Sequence, residues 1–227
     1  MIKMIVFDMA GTTVNEHNIV YKTVQEAVNA AGFDFSLETV LAYAAGKEKL
    51  QAIKSVLGSA GVVDDDLAER IFADFTARLE KAYKTKTITE QPNATKLFHA
   101  LKEKGIAVAL NTGYNRETAE FLITRIGWQQ GKDFDSLVTA SDVKHGRPLP
   151  DMIRLAMQQM NIDSAAHVVK VGDSIIDVEE GKNAGCGITV GITTGAHTFE
   201  QLQSASPSCI INDLEELAAV VEKLNVK

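Results

Sequence analysis

The sequence has little cysteine, no excess of positive charge and no long apolar run, and each shortage closes off a class of function. Only Cys186 and Cys209 occur among the 227 residues. Neither stands in a metal-ligand spacing, so no disulfide framework or zinc site is expected. Both read as small core residues. The formal net charge is -7. That argues against nucleic acid, because duplex binding rests on Lys and Arg neutralising phosphates. It still admits a small anion, since one local pocket can be positive on an acidic protein. No apolar run approaches the roughly 18 residues of a membrane span. The apolar start, residues 2–7, is too short for a signal-peptide core and meets an acid at once. The five histidines (His17, His99, His145, His167 and His197) are scattered without ligand spacing. A soluble, cytoplasmic protein without a membrane or nucleic-acid partner is expected.

What is present is ample apolar material, 45% of residues, enough for a buried core. Short apolar runs at 2–7, 106–110, 137–139, 168–171, 188–192 and 210–211 predict strands. Several are almost continuous in apolar residues, as strands covered on both faces are. Amphipathic stretches at 94–104, 116–126, 150–160, 175–184 and 214–224 predict helices between them, with Gly105 and Gly185 as stops. Such alternation implies an α/β fold: a Rossmann-like parallel sheet with helices on both faces. Residues 20–83 break it with four helical patterns, 20–31, 37–44, 47–57 and 65–84, and no convincing strand. They predict an inserted all-helical domain, with the core at 1–17 and 88–227 and the insert at 18–87. An apolar face at Val20, Val24, Ala27, Val28 and Ala31 packs either inside the insert or against a second subunit.

In open parallel sheets ligands bind beyond the carboxyl ends of the strands. The residues there form a chemical set. Asp8 follows the first strand, Thr112-Gly113 the second, Gly146-Arg147-Pro148 the third and Gly172-Asp173 the fourth. Asp8 and Asp173 in one crevice would repel without a cation between them. Oxygen ligands of this kind suit magnesium, which would also anchor a phosphate oxygen. Thr112 offers a hydroxyl, Gly113 close backbone approach to an anion, and Arg147 a planar fork for phosphate. Beside them, a carboxylate nucleophile can form an aspartyl-phosphate that water cleaves. Taken singly, each residue reads as a turn or helix cap; their co-occurrence at successive strand exits points to function.

These residues resemble the motifs of the haloacid dehalogenase superfamily across essentially the whole chain: Asp8 as nucleophile, Thr112 in motif two, Arg147 in motif three and Gly172-Asp173 in motif four. The resemblance implies magnesium held by Asp8, the Ala10 carbonyl and Asp173, with Asp177 just outside the ligand set. It implies a mobile helical cap, and phosphate binding by Thr12, Thr112, Gly113, Tyr114 and Arg147. Most family phosphatases carry an acid two residues after the nucleophile, where this sequence has Ala10. That acid normally protonates the leaving oxygen. Asp-x-Ala-Gly-Thr with Gly-Arg-Pro resembles instead the phosphonoacetaldehyde hydrolase branch. There a cap lysine forms a Schiff base with the substrate carbonyl, and the leaving group is carbon. The matching segment is Gly46-Lys47-Glu48-Lys49, with Lys49 the expected amine and Lys47 the second choice. Ala45, Ala52 and Met9 depart from that branch, which carries Met, His and Trp there, so an altered carbonyl-side pocket is expected. Three functions stand open at this point. The first is cleavage of the carbon–phosphorus bond of a 2-oxo-phosphonate; the second is phosphomonoester hydrolysis of a small metabolite. The third is phosphate-ligand binding with weak catalysis. Relatives in the branch are dimeric, which extends to a homodimer only by analogy.

Overall fold

A computed structural model describes residues 1–225. The chain forms β1 (Met4–Asp8) and a short β2 (Val14–Asn15), then four helices, α1 (Ile19–Ala30), α2 (Leu37–Ala44), α3 (Lys49–Ser59) and α4 (Asp65–Thr85). It returns through β3 (Thr89–Glu90) to α5 (Ala94–Glu103), β4 (Ala107–Thr112), α6 (Arg116–Ile126), β5 (Ser136–Thr139) and α7 (Asp151–Gln159). The last part is β6 (Val168–Gly172), α8 (Ile175–Ala184), β7 (Ile188–Ile192), α9 (Phe199–Ser204), β8 (Cys209–Ile211) and α10 (Glu215–Asn225).

Six strands make one parallel sheet in the order β5-β4-β1-β6-β7-β8. The alternating strands and helices produce this because parallel neighbours need a crossover, and a helix supplies it. Every residue of β1 is buried. Alternate side chains point to opposite faces: Met4 and Val6 join Met152 and Ile153 of α7, while Ile5 and Phe7 join Leu97 and Phe98 of α5. The chain leaves β1 in one direction across the sheet and later returns to β6 on its other side. Ligand crevices form at the carboxyl end of such a reversal, where Asp8 and Asp173 stand. The fold class matches the sequence expectation.

Four local features differ from that expectation. β1 runs on through Asp8, paired with Asn111 of β4, so the carboxylate is set by sheet register rather than by a loop. β2 and β3 pair antiparallel where the chain departs for the helices and returns, Val14 opposite Glu90 and Asn15 opposite Thr89. Two residues are too few to show alternation. α3 begins at Lys49, not Lys47, because the Glu48 carboxylate accepts hydrogen bonds from the Leu50 and Gln51 N–H groups and starts the helix there. α9 is held by a capping box between Thr198 and Gln201.

Helices α1–α4 occupy the span expected as a separate insert. They pack on one another through Val20, Val24, Val28, Val40, Ile53 and Ile71, all buried. The apolar face of α1 therefore turns inward within this chain, with Ala31 alone of its five residues exposed. The last two residues of the segment expected as core, 226 and 227, lie outside the described residues. Cys186 and Cys209 are free thiols. No helix of the described residues is long and apolar enough to cross a membrane.

Candidate active site

Strand ends bring the expected residues together. Asp8, Asp173 and Asp177 each place a carboxylate oxygen within 4.8 Å of the others, all buried. Asp8 ends β1. Its Oδ1 accepts a hydrogen bond from Arg147 Nη1 at 2.6 Å. Asp173 follows β6. Its Oδ2 accepts from the Ala196 N–H at 2.6 Å and its Oδ1 from the Thr12 hydroxyl at 3.4 Å. A Cβ on Gly195 would collide with the same carboxylate, so that loop can close over Asp173 only without a side chain. Asp177 lies one helical turn on. Its Oδ2 accepts from Ser174 Oγ at 2.5 Å. Its Oδ1 sits 3.0 Å from Lys170 Nζ and 3.1 Å from Arg147 Nη1, close ion pairs without an aligned hydrogen bond.

Charge decides what this cluster can hold. Arg147 and Lys170, both buried, are shared among Asp8, Asp177 and Glu180. Asp173 has no ion-pair partner among the described residues. The four buried carboxylates thus exceed the two cations by two negative charges. Burial, with Asp8 and Asp177 alongside, pushes the Asp173 carboxyl well above the usual carboxylate range. Burial raises Asp8 as well, against the pull of Arg147. Arg147 and Lys170 overcome burial at Asp177 and hold it low. Oxygen donors with this excess fit a divalent hard cation, which would remove the repulsion.

The other expected residues line up around this cluster. The Thr112 hydroxyl, at the end of β4, accepts from the Tyr114 N–H at 3.2 Å. Gly113 abuts the insert: a Cβ there would lie 2.9 Å from the Lys47 carbonyl oxygen. The Tyr114 side chain turns toward Lys49 rather than toward the carboxylates, and its hydroxyl meets that of Tyr83 at 2.8 Å. Lys49 is buried, with Nζ 5.1 Å from the Tyr114 ring centroid and 5.5 Å from that of Tyr21. The ammonium donates to the Lys47 carbonyl at 2.8 Å. Burial lowers its pKa from 10.5 to about 8, although Asp8 favours the charge. Lys47 is half-buried and donates to Ser55 Oγ at 3.0 Å. His145 pairs with Asp151 on the surface.

Four participants were not read from the sequence. Lys170, Asn111 and Glu180 form a buried network under Arg147: Asn111 Oδ1 accepts from Arg147 Nη2 at 2.7 Å and from Lys170 Nζ at 2.6 Å, while its Nδ2 donates to Glu180. The signal was a lysine inside the valine run of β6. Glu16 is the fourth. Its Oε2 accepts from the Val20 N–H at 2.9 Å, and burial pushes its carboxyl up to about 7 against the pull of Lys49.

Comparison with known proteins agrees with this geometry. The family model for haloacid dehalogenase-like hydrolases matches residues 2–185. A phosphonoacetaldehyde hydrolase of Latilactobacillus sakei is 28% identical, covering 98% of this chain and 96% of its own. Another, from Parabacteroides distasonis, is 29% identical, covering 92% and 84%. The crystal structure of a phosphonoacetaldehyde hydrolase like protein from Oleispira antarctica superposes with a TM-score of 0.85 at 22% identity, over 99% of this chain and 92% of that one. With its buried carboxylates at the exits of a parallel sheet, this chain belongs to the haloacid dehalogenase-like hydrolases.

Proposed function

We propose that this hydrolase cleaves the carbon–phosphorus bond of a 2-oxo-phosphonate, with magnesium as its ion. The observation that carries the reading is Lys49: a buried amine, framed by two tyrosine rings and within the electrostatic reach of Asp8. At pH 7 a pKa of about 8 leaves roughly a tenth of the amine neutral, some 300-fold more than an unperturbed lysine. A neutral amine is what attack on a carbonyl requires.

The steps follow from the residues. Lys49 Nζ attacks the carbonyl carbon, water departs, and a protonated imine forms. An Asp8 carboxylate oxygen attacks phosphorus. The electron pair of the carbon–phosphorus bond moves into the imine, leaving an enamine, so no acid on a leaving oxygen is needed and Ala10 is no handicap. Thr112 and the Gly113 backbone bind the phosphoryl oxygens, and Arg147, anchored to Asp8, Asn111 and Glu180, adds positive charge beside them. Water then cleaves the aspartyl-phosphate to phosphate. The enamine takes a proton on carbon, and hydrolysis of the resulting imine releases the carbonyl product and Lys49. Asp8, Asp173 and the Ala10 carbonyl would hold the magnesium, which when bound neutralises phosphoryl charge. Helices α1–α4, residues 18–87 with their flanks, act as the cap that brings Lys49 over Asp8. The chemistry calls for a small anionic substrate.

Glu16 favours a second reading. A buried carboxyl with a pKa of about 7 can donate a proton at neutral pH, which would let the same site hydrolyse phosphate esters despite Ala10. A phosphate-release screen with magnesium, spanning aldehyde and keto phosphonates and phosphate esters, separates the two. Release from 2-oxo-phosphonates that is lost in Lys49→Ala supports the first. Release from esters alone, indifferent to Lys49, replaces it with the second.

A further inference from the structure

A cavity of about 430 Å³ opens between α4 and α6, within the usual range for small-molecule sites. Lys49, Gly113 and Tyr114 form its buried end nearest the sheet, with Lys49 8% and Tyr114 3% exposed. From there the wall runs along Phe75, Leu79, Tyr83 and Phe121. The first three are buried; Phe121 is 37% exposed and stacks on Tyr83, ring centroids 6.2 Å apart. Toward solvent the lining carries Glu48, Glu80 and Glu117, with Lys84 bonded to Glu80 at 2.5 Å.

The phosphoryl chemistry uses only one edge of this space, at Gly113, since Asp8, Thr112 and Arg147 do not line it. A carbonyl carbon bonded to Lys49 Nζ carries the phosphonomethyl group on one side. Its other substituent must leave in the other direction, and Lys49 is part of the cavity wall. The aromatic and leucine surface there favours an apolar group over a polar one. The three carboxylates toward the mouth, one of them neutralised, disfavour a negatively charged end.

We propose that the cavity binds an uncharged apolar substituent, a branched alkyl or phenyl group, on the far side of the substrate carbonyl. The substrate is then a ketone, a 2-oxo-phosphonate with an apolar tail, rather than a two-carbon aldehyde. This deepens the Lys49 reading and rests on it for the direction of the tail.

The test separates binding from cleavage. Methyl-, butyl- and benzylphosphonate, and a phosphonate whose butyl-length chain ends in a carboxylate, are titrated calorimetrically into the full chain with magnesium. The dissociation constant should fall at least tenfold from methyl to benzyl, while the carboxylate-ended chain binds no better than methyl. Thr76→Trp, at an exposed lining position on α4, should erase the gain and leave methylphosphonate binding unchanged. Equal or falling affinity along the series, or a full gain retained in Thr76→Trp, overturns the assignment. Phosphate release from 2-oxo-2-phenylethylphosphonate is measured alongside. A benzyl gain without release keeps the cavity assignment and removes carbon–phosphorus cleavage. Release from the aldehyde without a benzyl gain does the reverse.

Discussion

Lys49→Met should make the protein more stable at neutral pH while destroying its proposed chemistry. The folded state holds this amine at a pKa of about 8, against 10.5 when solvated. Below pH 8 both states carry the proton, and the folded state bears the full cost of a charge kept away from water. At about 1.4 kcal/mol per pKa unit, that cost is about 3 kcal/mol. Between pH 8 and 10.5 the unfolded chain binds the proton and the folded one does not, so wild-type stability rises with pH across this window. Methionine matches the length of the lysine stem and has no charge to desolvate. The depressed pKa is already net of what the ammonium gains from the Lys47 carbonyl and the Tyr21 and Tyr114 rings, so the variant loses in addition only the uncharged amine's hydrogen bond, about 1 kcal/mol. A net gain of about 2 kcal/mol at pH 8 remains, or a rise in melting temperature of about 4–8 °C. Urea unfolding of both proteins in magnesium-free buffer from pH 8 to 10.5 reads it, because groups remote from Lys49 cancel in the difference and Glu16, which feels Lys49, is already ionised there. A variant no more stable at pH 8, or a difference that stays flat to pH 10.5, would refute a buried, depressed amine.

Other consequences follow from the same geometry. Glu16 titrates at about 7 when folded and 4.5 in its ordinary state; wild-type stability should therefore fall as pH rises from 4.5 to 7, by about 3 kcal/mol in all. Glu16→Gln should lack that fall and overtake the wild type above pH 7 in the same unfolding assay. Gly113→Ala would set a Cβ 2.9 Å from the Lys47 carbonyl, pushing the insert off the core; kcat/KM should drop about 100-fold with little change in melting temperature. Magnesium should raise the melting temperature in proportion to the logarithm of its concentration above Kd, by about 2.7 kcal/mol of stability at 100 times its Kd. Asp173→Asn should abolish that rise and leave the metal-free protein no less stable, since burial beside Asp8 and Asp177 already disfavours a charge at this position. Calorimetric scans with and without chelator check both.

The parallel sheet was legible because its strands are apolar runs too short for helices and its helices end at glycines such as Gly105 and Gly185. Asp8, Thr112, Arg147 and Asp173 were legible because each ends a strand or follows one, and strand ends of one parallel sheet converge. Lys49 was placed by motif, but its burial could not be read, since the tyrosines that frame it come from residues 21 and 114. The network beneath Arg147 was missed for the same reason. Asn111, Lys170 and Glu180 meet only once β4, β6 and α8 are assembled, although a lysine between valines was a sign of burial. Glu16 was missed because its burial depends on the packed insert; its carboxylate also accepts the Val20 N–H at the start of α1. β2 and β3 carry two residues each, below any periodicity.

The most direct measurement is borohydride trapping on Asp8→Asn, which can form the imine but cannot take the phosphoryl group. With a 2-oxo-phosphonate and magnesium present, mass spectrometry of the digested protein should find a reduced adduct on Lys49 that still carries its phosphonate. Wild-type enzyme that releases phosphate from the same compound, while neither protein yields any adduct at Lys49, would contradict imine formation.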